Sequence, residues 1–221
     1  MAYELSDDFK SLNKNIWSSK RLTKSNWKIS KYQGKSAIQI TVHKGDYQMD
    51  GGDGHLTDRA ELTEEKSLWV PTGTPIWYSF YFVFPKDFLI QDNRLVFAQW
   101  KQSTQEPESP FLSFRYVDGK LYFQIVYNDE REKFYCTEKE WRGNWHNALV
   151  YYKLDSNFRG EVKAWVDEKI ISDYSGRLGS SQSISDPYFK MGLYRDQIEE
   201  HQTIYLADFK RSTSKEFCEK I

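Results

Sequence analysis

The chain carries little that cross-links or punctuates it: two cysteines, six prolines and twelve glycines in 221 residues. Cys136 and Cys218 allow one disulfide or two free thiols and say little about compartment. No apolar run is long enough to cross a bilayer. The net charge is only −1, so no global field draws the chain to nucleic acid or to a membrane, and an anionic ligand would have to be held by a local cluster. The first residues, Met1-Ala2-Tyr3-Glu4-Leu5, are not a secretory leader, which leaves an intracellular protein or the mature form of an exported one. There is no N-x-[ST] sequon, P-loop, G-x-S-x-G or G-x-G-x-x-G motif. His43, His55, His146 and His201 lack zinc-type spacing with one another or with cysteine. Heptads, repeats and low-complexity segments are absent, and helical periodicity is scarce.

What the chain does have is aromatic surface. Aromatics make up 17% of it, with 8 Trp, 15 Tyr and 14 Phe, a composition that favours strands. Short alternating runs recur between turn residues: Trp27–Ile29, Ala37–Val42, Thr57–Thr63, Ile76–Phe84, Leu95–Lys101, Phe111–Val117, Leu121–Val126, Ala148–Leu154, Glu161–Val166, Lys169–Tyr174, Tyr188–Tyr194 and Ile204–Arg211. Asp8–Asn15 reads as a turn or short helix. Val117-Asp118-Gly119-Lys120 and Val166-Asp167-Glu168-Lys169 read as two-residue hairpin turns. Many strands at regular spacing without intervening helices predict a single all-β domain over residues 1–221, a two-sheet antiparallel β-jelly roll.

Three strands have an unusual polar face. Side chains alternate sides along a strand. In Tyr188–Arg195, Phe189, Met191 and Leu193 point one way and Lys190, Gly192 and Tyr194 the other; Arg195 falls on the core side. In Asp58–Leu62, Ala60 and Leu62 face the core and Arg59 and Glu61 the opposite side. In Ala98–Lys101, Trp100 joins Ala98, while Gln99 and Lys101 face outward in line with Phe97. Each strand alone is an ordinary solvent face with ion pairs. Together they gather a phenol, an amide and three cations around one carboxylate.

Such a set suits β-elimination on a uronate. The carboxylate must be neutralised so that the adjacent C–H becomes acidic, a base must remove the C5 proton, and an acid must protonate the departing O4. Arg59 and Gln99 are suited to the carboxylate. The Tyr194 phenol can donate to the leaving oxygen, and cations such as Lys190 and Lys101 beside it favour a phenolate able to act as base.

These residues also carry a family resemblance. Arg59-Ala60-Glu61-Leu62, Gln99-Trp100-Lys101 and Tyr188-Phe189-Lys190-Met191-Gly192-Leu193-Tyr194 resemble, in that order, the Arg-x-Glu-Leu, Gln-x-His and Tyr-Phe-Lys-x-Gly-x-Tyr strands of the jelly-roll polysaccharide lyases, the group of alginate lyases, glucuronan lyases and heparin lyase I. Gly143-Asn144-Trp145-His146 is similar to the heparin-lyase and glucuronan-lyase branch. The resemblance spans roughly residues 55–211. It implies a concanavalin A-like sandwich with a concave groove for an anionic polysaccharide. Arg59 and Gln99 would neutralise the carboxylate, Tyr194 would act as acid or acid/base, and Glu61, Lys190 and Tyr188 would contact substrate. No catalytic cofactor is implied, although some members carry a structural calcium away from the groove, for which Asp208 is a candidate ligand. A monomer outside the cell, secreted or extracellular, fits this role.

One position departs from the pattern. Lys101 stands where the group has histidine, keeping the charge but supplying a poor base. Three readings follow: Tyr194 does both acid and base work in a syn elimination; His55 supplies an imidazole from the rim, after the Gly51-Gly52-Asp53-Gly54 approach; or catalysis is lost and the domain is a non-catalytic carbohydrate-binding module. Asp46, Asp50 and Asp53 hint at a cation loop but lack the EF-hand pattern. A retaining hydrolase would need two carboxylates about 5–5.5 Å apart; no strand carries such a pair, and Glu138-Lys139-Glu140 lies in a loop. Trp77, Tyr78, Tyr122 and Trp165 are sugar platforms or packing residues, with packing the preferred reading.

Overall fold

The computed structural model describes residues 3–50, 55–104, 109–127, 130–135 and 140–219. The Gly51–Gly54 approach, Cys136 and Glu138 lie outside them. In chain order the strands are β1 (Leu5–Asp7), β2 (Trp17–Arg21), β3 (Trp27–Tyr32), β4 (Lys35–Val42), β5 (Met49–Asp50), β6 (Leu56–Glu64), β7 (Ile76–Val83) and β8 (Leu95–Lys101). They continue as β9 (Leu112–Val117), β10 (Lys120–Tyr127), β11 (Glu130–Tyr135), β12 (His146–Lys153), β13 (Asp155–Val166), β14 (Lys169–Leu178), β15 (Tyr188–Asp196) and β16 (Gln202–Ser212). A short helix, α1 (Lys215–Glu219), follows. One sheet has the order β14-β13-β12-β7-β16-β4-β3, with β1 on β16; the other runs β11-β10-β9-β8-β15-β6-β2, with β5 on β6. This is the predicted two-sheet antiparallel sandwich of jelly-roll type.

Every predicted strand is present. The alternation missed β1, β2, β5, β11 and α1, which are short or polar on both faces. Asp8–Asn15 is a turn, closed by the Asn13 carbonyl accepting from the Ile16 N–H at 3.0 Å. Both hairpin turns form with positive φ at their two central residues, 52° and 69° at Asp118 and Gly119, 50° and 64° at Asp167 and Glu168, the backbone that matches the twist of the flanking strands.

The core lies between the sheets and is largely aromatic. Phe189, on β15, is fully buried; its ring lies 4.8 Å from Trp100, 5.2 Å from Tyr78 and 5.8 Å from Phe209. One charge pair crosses this layer. Glu64 on β6 accepts from Arg211 on β16 at 2.8 Å and from the Phe189 N–H at 3.0 Å. Burial pushes the Glu64 carboxyl above its ordinary value, and Arg211 pulls it back. Cys218 is a free thiol, buried against the Trp77 carbonyl at 3.6 Å and pushed up to about 12 by burial.

Removing one member of a buried ion pair strands the other charge in a low-dielectric interior. Arg211→Met is therefore expected to cost about 3–5 kcal/mol in urea denaturation, and Glu64→Gln/Arg211→Met to recover most of it. Equal loss in both variants would show that packing, not charge, decides the site.

Candidate active site

The polar faces meet because β6, β15 and β8 are neighbours in one sheet. Register sets Tyr194 opposite Arg59, Gly192 opposite Glu61, Lys190 opposite Gln99, and Tyr188 opposite Lys101. Seven of the eight predicted residues thus share one patch. The eighth, His55, stands exposed one residue before β6, outside that register.

Glu61 sits at the centre, 2% exposed. It accepts a hydrogen bond from the Gln99 amide, and the two side chains meet across the width of β15. Gly192 is what leaves that crossing open. Its φ is 139°, and a Cβ there would lie 2.2 Å from the Ala60 carbonyl oxygen and 2.8 Å from the Glu61 Cα. Only glycine allows β15 so close to β6. On the far side of Glu61, an Arg21 guanidinium nitrogen lies 3.5 Å from the second carboxylate oxygen.

Lys190 is the second buried charge of the cluster, 2% exposed. Desolvation lowers its ammonium to about 7; Glu61 opposes this, and Arg21, Lys101 and Arg59 add to it. The site thus holds a lysine that titrates near neutrality. Tyr188 packs its ring flat on Trp69, centroids 4.5 Å apart, and burial raises its phenol. Tyr194 is half-buried between two cations: the Arg59 guanidinium lies 4.0 Å from its ring centroid and that of Arg94 5.3 Å. Arg94 is held in turn by Asp196, its Nε donating at 2.8 Å.

One sequence expectation needs correction. Phe97 does not line up with Gln99 and Lys101. A β-bulge between Val96 and Ala98 breaks the alternation, and Phe97 turns into the core against Phe82, ring centroids 4.8 Å apart. Gln99 pairs with Lys190 in the ladder and reaches the Arg59 strand through Glu61. Arg195 is on the core side as expected, donating to Gln202 at 3.0 Å and lying 3.6 Å from Asp58. Arg21, Arg94 and Trp69 were missed. Arg21 sits on a strand with no alternating pattern, and the other two sit in loops that only the fold brings to the patch.

The discounted histidines are structural or peripheral. His146 is buried, its Nδ1 2.8 Å from Asp167, and His43 contacts Asp46 at 3.1 Å. The Asp208 carboxylate is paired with the Lys35 ammonium at 2.8 Å. Among the described residues no three His, Cys, Asp or Glu side chains come close enough to hold an ion. No helix among the described residues is long and apolar enough to cross a membrane.

The two-sheet antiparallel sandwich is of the jelly-roll type, with the cation-rich cluster around Glu61 on the outer face of one sheet. A family model described as polysaccharide lyase matches residues 9–210, and the chain belongs to that family of enzymes. No curated protein sequence matches it. Among solved structures it is similar to an endo-β-1,4-glucuronan lyase from the fungus Trichoderma reesei, with 16% identity, 95% of each chain covered and a TM-score of 0.71. It is also similar to the alginate lyase Aly36B, with 16% identity, 95% and 96% covered and a TM-score of 0.63. A Corynebacterium alginate lyase shares 16% identity over 86% and 81%, with a TM-score of 0.61. At these identities the likeness shows the fold.

The lysine makes a pH-dependent prediction. Its folded value, about 7, lies below the ordinary 10.5, so between them the unfolded chain holds a proton that the folded one has lost. Its contribution to stability therefore rises with pH across that window, by up to about 1.4 kcal/mol per pH unit, and its full destabilisation is felt below it. Lys190→Met should stabilise the protein most near about pH 6 and progressively less towards about pH 10. A gain independent of pH in chemical denaturation would contradict this.

Proposed function

We propose that the chain cleaves a uronic-acid polymer by β-elimination at the face built by β6, β15 and β8, with Tyr194 as acid or acid/base. The observation that carries this reading is Tyr194 with its ring beneath the Arg59 guanidinium, whose carbon lies 4.0 Å from the ring centroid, on the same face as Lys190, Gln99 and Lys101. A uronate carboxylate placed over Gly192 would meet cations on both sides: Arg59 and Arg21 from β6 and β2, Lys190 and Lys101 from β15 and β8. Gln99 gives one amide hydrogen to Glu61 and keeps a second donor for the substrate. Neutralising the carboxylate acidifies the C5–H. A base removes that proton, the C5 electron pair forms the C4–C5 double bond, the C4–O4 bond breaks, and the departing oxygen takes a proton from the phenol.

Lys101 fits this scheme as a cation. Where C5–H and O4 lie on one face of the sugar, Tyr194 alone serves both proton transfers. Glucuronate has them on opposite faces and needs a second group as base. Glucuronan and alginate, the polymers in the names of the solved relatives, are the substrates this reading favours first, and action on such a polymer belongs outside the cell.

The test is ultraviolet absorbance of the unsaturated product on glucuronan, alginate blocks, heparin, heparan sulfate and hyaluronan, with Tyr194→Phe beside the wild type. The expected outcome is a rise on at least one uronan and a loss of at least about 100-fold in the variant, the scale of a general acid–base contribution, with retardation in an affinity gel preserved. Full turnover by Tyr194→Phe would refute the assignment of Tyr194.

A further inference from the structure

We infer that Tyr47, at the edge of the same face, is a stacking platform for a second sugar ring of the polymer, next to the one cleaved. The inference rests on the polymer substrate proposed above. Residues 46–50 run alongside β6 on the side away from β15. The Arg59 N–H donates to the Asp46 carbonyl at 2.8 Å, and Met49 and Asp50 pair with Thr57 and Leu56. At about 4.8 Å per strand, the Tyr47 backbone lies about 10 Å from that of β15, with β6 between, a span for neighbouring rings of one chain. The Tyr47 ring is turned to the site's own face: the Arg21 guanidinium, with a nitrogen 3.5 Å from Glu61, has its carbon 5.4 Å from the ring centroid.

Two features mark the ring as more than packing. Tyr47 is 47% exposed, so a broad aromatic surface stands in water with Arg21 against it. Its backbone is held at φ 40°, a left-handed conformation that a bulky residue enters only under strain. Such strain persists where the surroundings impose it, and it gathers at ligand sites. Here the Gly45 N–H donates to Asp58 and the His43 N–H to Asp46, at 2.9 and 2.8 Å, and the Thr57 hydroxyl donates to the Met49 carbonyl at 3.2 Å. The segment is thus pinned on both sides of Tyr47, and a pre-set platform loses little freedom when a ligand arrives. Its chemistry fits one occupant. A pyranose ring lays a flat C–H face on an aromatic ring whose polar tip meets its hydroxyls. Arg21 keeps 27% of its side chain exposed, so N–H groups remain for the carboxylate of a uronate. Met49, 42% exposed and opposite Thr57, extends the apolar strip along the edge.

The test is affinity electrophoresis through gels containing each of the five polymers above, in Tyr194→Phe protein so that the ligand is not consumed, beside urea denaturation. Tyr47→Asn removes the ring and suits the left-handed backbone. On at least one polymer it should weaken binding by about two- to ten-fold, the scale of one aromatic contact, with the urea midpoint unchanged or raised. Tyr47→Phe keeps the ring and should bind like its parent. In the enzyme that retains Tyr194, the loss in Tyr47→Asn should fall on KM for the polymer rather than on kcat. Undiminished retardation of Tyr47→Asn overturns the inference, as does a weakening that comes with a lower urea midpoint, which would make the ring structural. Tyr47→Phe as weak as Tyr47→Asn, or a parent retarded by none of the polymers, overturns it too. If no polymer yields an unsaturated product and Tyr47→Asn still weakens retardation, the platform stands and the elimination reading falls.

Discussion

The hydrogen bond between Gln99 and Glu61 spans the width of β15, and the arrangement of the polar face depends on it. It forms because Gly192 has no side chain and because β15 lies so close to β6 that a Cβ would sit 2.2 Å from the Ala60 carbonyl oxygen. A buried carboxylate costs free energy unless it is paired. Glu61 meets this with the Gln99 amide and the Arg21 guanidinium, which join β8, β6 and β2 into one rigid platform. Around that platform the cations outnumber the single acid. Desolvation, with Arg21, Lys101 and Arg59 adding to it and Glu61 opposing it, lowers the Lys190 ammonium to about 7.

The rest of the sandwich isolates this platform from the core. The alternation that sends Lys190, Gly192 and Tyr194 outward sends Phe189, Met191 and Leu193 into an aromatic layer with no exposed surface. Glu64, at the end of the same strand as Arg59 and Glu61, points inward and ties the two sheets through Arg211. One strand, β6, therefore carries two charges for the interior, Asp58 and Glu64, paired with Arg195 and Arg211, and two, Arg59 and Glu61, for the outer face. Tyr194 depends on the same economy: Arg59 covers one part of its ring, and Arg94, fixed by Asp196, lies near another.

Much of this was legible in the residues. Period-two alternation located the strands that build the site and put Arg195 on the core side. The motif order brought Arg59, Gln99 and Tyr194 to one face. What escaped is what alternation does not encode. A bulge shifts parity, so Phe97 was placed outside. Trp17–Arg21 has no alternating pattern, so Arg21 went unnoticed although it touches the central carboxylate. Arg94 and Trp69 reach the patch from loops. Register, too, was invisible: only the pairing of β15 with β8 shows that Gln99 faces Lys190 rather than Arg59. Trp165, read as packing, stacks on Trp77 with Lys215 over its ring.

The central claim is that the platform eliminates rather than hydrolyses. Digesting glucuronan or alginate in water enriched in heavy oxygen, and weighing the products by mass spectrometry, tests it most directly. Elimination adds no solvent oxygen across the cleaved bond, so the account predicts that cleavage itself introduces no label, and that of the two fragments the one with the new non-reducing end is lighter by one water than its hydrolytic counterpart while the other has the same composition. One heavy oxygen per cleavage, with no double bond, would contradict it.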